Sequence, residues 1–140
     1  MGRSVAILVA RLIFAGVFAM AAFFKFAGMA DTAAYISAAG FPFALPLAWL
    51  AAFFELGMVL AFLTGAFFSE AALLAGAYVI LLAFAFHGPS HWQGNQAEFG
   101  FFIDHFTFLA GLLYAAVHGQ GKKLALRQSF IWKDKAGSAH

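Results

Sequence analysis

Ala48-Trp49-Leu50-Ala51-Ala52-Phe53-Phe54-Glu55-Leu56-Gly57-Met58-Val59-Leu60-Ala61-Phe62-Leu63 is a run of sixteen residues with a single charge, Glu55. Extended back to Pro46 and on to Gly65, it is long enough to cross a bilayer core of about 30 Å at about 1.5 Å per residue. A carboxylate at that depth costs at least ~2.5 kcal/mol on the mildest insertion scale. It therefore calls for a partner, a proton or a water-filled cavity. What answers Glu55 decides how the other helices are arranged.

The composition agrees with a membrane setting. Of 140 residues, 64% are hydrophobic and 10% are charged, against about 45–50% and about 25% in a soluble domain. Such a chain has too little polar surface to cover a particle in water. Cysteine is absent, which excludes a disulfide framework and any thiol–disulfide chemistry by this chain alone. The basic residues sit at the chain ends rather than in a stripe, so no nucleic-acid partner is expected.

Four apolar segments follow one another, at about residues 5–27, 46–65, 71–86 and 99–117. All four read as transmembrane helices, giving an all-α, integral-membrane, four-helix up-down bundle over residues 1–121. The first segment has a signal-peptide rival in the basic Arg3 and the small-residue site Ala19-Met20-Ala21. Arg11 interrupts that pattern and the apolar run continues through Phe23-Phe24, which favours a span. Arg3, Arg11, Lys122, Lys123, Arg127, Lys133 and Lys135 lie toward one side, leaving only Lys25 toward the other. Both termini are thus expected in the cytoplasm. In the first outer loop, Asp31 is expected to cap a short interfacial helix over residues 32–39, ended by Gly40. Residues 122–140 alternate bases with Leu124, Leu126, Phe130, Ile131 and Trp132. They read as a cytoplasmic amphipathic helix on the lipid surface.

Helix order places the ionisable groups. Lys25 lies near the outer end of the first span, and Glu55 nine residues after Pro46, about 13 Å down the second. His87 closes the third span, and Asp104 and His105 lie near the outer start of the fourth. Glu55, Lys25, Asp104 and His105 are therefore candidate proton donors, with Lys25 open to either Glu55 or Asp104. His87, Trp49, Trp92 and Arg11 are candidate ligand contacts. Arg11 and Lys25 are fourteen residues apart, so they share a helix face with Phe18 between them. Asp104, Gly111 and His118 repeat at seven-residue intervals and are expected to point into the bundle. The row Gly57, Ala61 and Gly65 allows close approach to a neighbouring span or to a second copy of the chain. The residues also allow a purely structural reading, in which the polar network fixes helix register. No metal is expected, because Gly88-Pro89 breaks the His87–His91 spacing and no HExxH is present. Ser69 and Ser90 lack an evident base.

Several local motifs recur in an order that is itself distinctive. They are Arg11 and Gly16, Phe24-Lys25-Phe26, Gly40-Phe41-Pro42, Glu55-Leu56-Gly57, Leu63-Thr64-Gly65, Phe86-His87 and Leu109-Ala110-Gly111-Leu112-Leu113. Together they resemble the DoxX family of small bacterial inner-membrane proteins, over about residues 8–118. The resemblance implies a four-helix membrane bundle and a role as an oxidoreductase component. Some members of that family look like membrane subunits of quinone-linked sulfur oxidation systems such as thiosulfate:quinone oxidoreductase. Others accompany thiol-redox or oxidative-stress partners. Where the family commonly opens the fourth span with a Lys-Asn pair, this chain has Asp104-His105, which reverses one charge.

Three functions follow as expectations. The first is a membrane subunit that holds a quinone among Phe side chains, gated by Trp49 or Trp92, with electrons from a soluble oxidoreductase partner. The second is a non-catalytic anchor or assembly factor for such a partner. The third is a small proton-coupled carrier, disfavoured because none of the four spans is broken.

Overall fold

The computed structural model describes residues 2–126 and 128–131. Five α-helices follow in order: α1 (Gly2–Ala27), α2 (Met29–Ala38), α3 (Ala44–Thr64), α4 (Phe68–His87) and α5 (Gln96–His118). A 3-10 turn, Pro89–His91, extends α4. Four stretches are long and apolar enough to cross a membrane: Gly2–Ala27, Ala44–Thr64, Phe68–His91 and Gln96–His118. Among the described residues no strand is present. The chain divides into two compact units. Residues 2–66 with 120–126 form the first hairpin, and residues 67–119 with 128–131 the second.

The first hairpin is built on one helical stripe. Arg11, Ala15, Phe18 and Ala22 are buried on α1, at the four-three-four spacing that keeps residues on one face. The shared face of Arg11, Phe18 and Lys25 is therefore realised. α3 answers with buried Ala48, Ala52, Glu55, Val59 and Phe62. Alanine at these positions lets the two backbones approach closely. The helices run antiparallel. In the middle of α1, Phe14 and Phe18 meet the Phe62 ring at 5.5 and 5.8 Å. Near its end, Phe26 meets Trp49 at 6.0 Å and Phe53 at 5.4 Å.

The loop helix α2 starts earlier than the expected residues 32–39. α1 nearly runs into it, because Gly28 N–H donates to Phe24 O at 3.0 Å. Gly28 is then the N-cap, and Asp31 sits in the first turn rather than before it. A carboxylate there still favours the exposed N–H groups of the helix start. Gly40 ends the segment as expected, at φ +86°.

In the second hairpin α4 also begins earlier than the expected residue 71. Phe67 takes a left-handed conformation (φ 50°), a costly choice for a bulky residue. Its N–H donates to Gln128 O at 2.8 Å, and its ring stacks on Phe130 at 4.7 Å. Further along, Leu109 of α5 fits against Gly76 of α4: a Cβ on Gly76 would stand 3.0 Å from its Cδ1. Phe84 packs edge-on against Phe102 at 5.2 Å and Phe106 at 6.2 Å, so these helices are antiparallel too.

Two expectations need correction. Residues 122–126 and 128–131 are turns and extended chain, not helix. Gly119 and Gly121 take positive φ, and backbone groups of this stretch bond to Thr64 and Phe67 instead of to one another. Trp132, Lys133 and Lys135 lie outside the described residues. The face of α5 expected to point inward is also displaced. Leu112 and Ala116 are buried, while Asp104 and His118 are exposed. Of the small-residue row on α3, Gly57 is exposed and Ala61 half-buried. Gly65 is instead the left-handed C-cap of the helix, with Ala125 against it.

Candidate functional site

Arg11 shows how this chain treats a buried cation. It is 1% exposed. Its Nε donates to Phe62 O at 3.1 Å, and its Nη2 to Leu63 O at 2.7 Å and Leu124 O at 3.0 Å. Its Nη1 donates to Lys123 O at 2.9 Å and Gln120 O at 3.4 Å. Five N–H groups thus meet five main-chain carbonyls, two of them at the C-terminal end of α3, where a cation also favours the helix dipole. Expected as a ligand contact, Arg11 is a clasp between α1, the end of α3 and residues 120–124.

At the other end of that stripe, Lys25 meets Glu55. Nζ lies 2.8 Å from Oε1. The Glu55 side chain is 2% exposed and that of Lys25 is 21% exposed. The choice left open for Lys25 is thereby made: its partner is Glu55. The reason is reach, since the lysine stem extends along the helix to a carboxylate deeper in the pair. Among the described residues Glu55 is the hydrogen-bond partner of Nζ, and an ammonium has three donors. Two N–H groups therefore remain for something else. Trp49 stacks on Phe53 at 5.9 Å, and both contact Phe26, the neighbour of Lys25 in sequence. These three aromatic rings are exposed on the same hairpin that carries Lys25.

The second hairpin carries a different set. His87 Nδ1–H donates to Glu98 Oε2 at 2.6 Å, with side chains 19% and 23% exposed. The His105 ring centre lies 5.2 Å from that of His87, and Phe101 lies 5.4 Å from it. His105 Nδ1–H donates to Phe101 O at 2.6 Å. Trp92 Nε1–H donates to His87 O at 2.8 Å, and its ring packs on Phe99 and Phe102. Asp104 is next to this group in sequence but turned out to the exposed side. Among the described residues no three His, Asp or Glu side chains converge as a metal ion requires.

Sequence reasoning missed two carboxylates. Glu98 has no signal of its own, because nothing in the spacing from His87 shows that the turn at Pro89–His91 brings them together. Glu70 accepts from Ser129 Oγ at 2.7 Å, from Ile131 N–H at 3.0 Å and from Phe130 N–H. Its signal is weaker still, since its partners lie about sixty residues away.

The DoxX family model matches residues 6–88, from α1 to the end of α4. The chain belongs to the DoxX family. It is also 35% identical over 120 residues to the inner membrane protein YqjF of Escherichia coli (strain K12), covering 85% of this chain and 88% of the relative. No solved structure matches. Family membership and the four apolar helices together make this DoxX protein a multi-pass inner-membrane protein. The DoxX match ends beside His87, so Glu98, Asp104 and His105 fall outside it.

Proposed function

We propose that this DoxX protein is the membrane subunit of a quinone-linked oxidoreductase system, with both termini in the cytoplasm. The observation that carries the reading is the Lys25–Glu55 pair at 2.8 Å. A quinone carbonyl needs a hydrogen-bond donor inside an apolar slot. Lys25 keeps two donors beyond its bond to Glu55, and Phe26, Trp49 and Phe53 supply flat apolar surface on the same hairpin. Glu55 holds the ammonium in place at 2.8 Å. The chain has no cysteine, so electrons come from a partner, which is a soluble oxidoreductase in this reading. The distribution of Lys and Arg supports the cytoplasmic placement of both termini.

The test is binding of a short-chain quinone to the protein in lipid nanodiscs. Lys25→Met should weaken binding by tenfold or more, with Glu55→Gln intermediate. Wild-type protein that ignores the quinone, or folded Lys25→Met that binds it as well as wild type, sinks the reading.

A second reading, a non-catalytic anchor or assembly factor, is favoured by Arg11 and Glu70. Arg11 donates to main-chain carbonyls of α3 and of residues 120–124, and Glu70 accepts from Ser129, Phe130 and Ile131, so charge in this chain also serves shape. Under it, Glu55→Gln lowers recovery of a partner without changing quinone affinity.

A further inference from the structure

The two rings of the second hairpin each have an acceptor oxygen at Nδ1. Phe101 O can only accept, so Nδ1 of His105 carries the hydrogen. Glu98 likewise accepts from Nδ1 of His87. In each neutral imidazole the other nitrogen, Nε2, must then present a lone pair. Among the described residues no hydrogen bond reaches either Nε2. The pair is half-buried at one end of long apolar helices. It is flanked by Phe101, and by Trp92, whose indole N–H is already spent on His87 O. This is an acceptor site among aromatic rings. Lys25 in the first hairpin is the opposite, a donor site among aromatic rings.

We infer that His87 and His105 form a second ligand site, selective for the hydroxyl groups of a lipophilic hydroquinone, with Glu98 as the residue that positions His87. The inference rests on the quinone reading above and adds which redox form the second hairpin holds. The hydroquinone O–H donates to Nε2, and the flat headgroup lies against Phe101. When the proton crosses, the O–H bond breaks with its electron pair left on oxygen, and an Nε2–H bond forms. The resulting imidazolium is stabilised by the Glu98 carboxylate on its far nitrogen, as a carboxylate stabilises any imidazolium it orients. An oxidised quinone offers only carbonyl oxygens, so it meets lone pairs with lone pairs. A divalent cation is the other partner for two Nε2 atoms. The donor set disfavours it, since no third His, Asp or Glu among the described residues completes a metal site.

The experiment uses the full chain in nanodiscs, labelled with 15N-histidine, titrated anaerobically with a short-chain hydroquinone and separately with its quinone. The Nε2 resonances of His87 and His105 should shift with the hydroquinone and not with the quinone. His87→Leu and His105→Leu should each weaken hydroquinone binding by tenfold or more. Glu98→Leu should weaken it several-fold while His105 keeps its own response. If neither Nε2 responds, or if both leucine variants bind the hydroquinone as wild type does, the site is not there. Should the quinone fail to bind while the hydroquinone still shifts both rings, the reading of Lys25 falls and this one stands. Because the resonance shifts are read in the wild-type chain, a variant that fails to fold does not shelter the proposal.

Discussion

The two hairpins carry ionisable groups in opposite ways. In the first, the charges are deep and committed: Arg11 spends five N–H groups on main-chain carbonyls, and Glu55 is held by Lys25. In the second, His87 and Glu98 stay about one-fifth exposed at the end of α4 and the start of α5. The difference is one of cost. A charge in hydrocarbon has to be answered at once, so it becomes structural. A half-wet imidazole can wait for a ligand. Lys25 stands between these cases, since its ammonium is paired and still has donors to offer.

Four measurements press on that contrast. The largest effect belongs to Arg11→Met, which leaves five carbonyls without their donor. Breaking a buried charged network of this kind costs about 3–5 kcal/mol, so the variant should accumulate poorly and lose its unfolding transition in detergent. Arg11→Lys should rescue only part, because an ammonium lacks the planar fork. Next comes Lys25→Met, which removes the ammonium 2.8 Å from Glu55 and should cost about 3 kcal/mol. The double variant Lys25→Met/Glu55→Leu should regain most of it. A double variant no more stable than the single one would break the contrast, because the pair would then not be coupled. Third, Glu70→Ala removes the acceptor for Ser129, Phe130 and Ile131. About 1–3 kcal/mol of local bonding goes with it, so limited proteolysis should cut beyond residue 119 several-fold faster with the hairpin helices intact. The smallest effect is Asp104→Asn, an exposed change expected within about 0.5 kcal/mol. A large loss of thermal stability there would mean that Asp104 has a partner after all.

Much of the first hairpin could be read from residue spacing. The stripe Arg11, Phe18, Lys25 follows from 3.6-residue periodicity, and the need of Glu55 for a partner, a proton or a water-filled cavity follows from its apolar surroundings. The order of the four spans was legible for the same reason, although α4 and α5 each begin three residues before the apolar run does. What escaped depends on chain closure. The meeting of His87 and Glu98 is made by a turn whose geometry no periodicity encodes. Residues 122–131 have the alternation of an amphipathic helix, yet Gly119 and Gly121 at positive φ and the waiting donors of Arg11 and Phe67 draw that backbone into other bonds. On α5 the seven-residue recurrence of Asp104, Gly111 and His118 pointed to one face, while packing chose the neighbouring one, where Leu112 and Ala116 fit under α4.

The reach of Arg11 also has a meaning in time. Its acceptor Lys123 lies 112 residues downstream, an interval of on the order of ten seconds at ordinary rates of protein synthesis. Throughout that interval the guanidinium has its α3 carbonyls at most, and it must lean toward lipid headgroups and water for the rest. The first hairpin is therefore sealed last, after the second has already been made. A ribosome that stalls within the fourth span leaves a nascent chain with an unsealed arginine near its start, an open latch that a membrane protease or chaperone could recognise before synthesis ends.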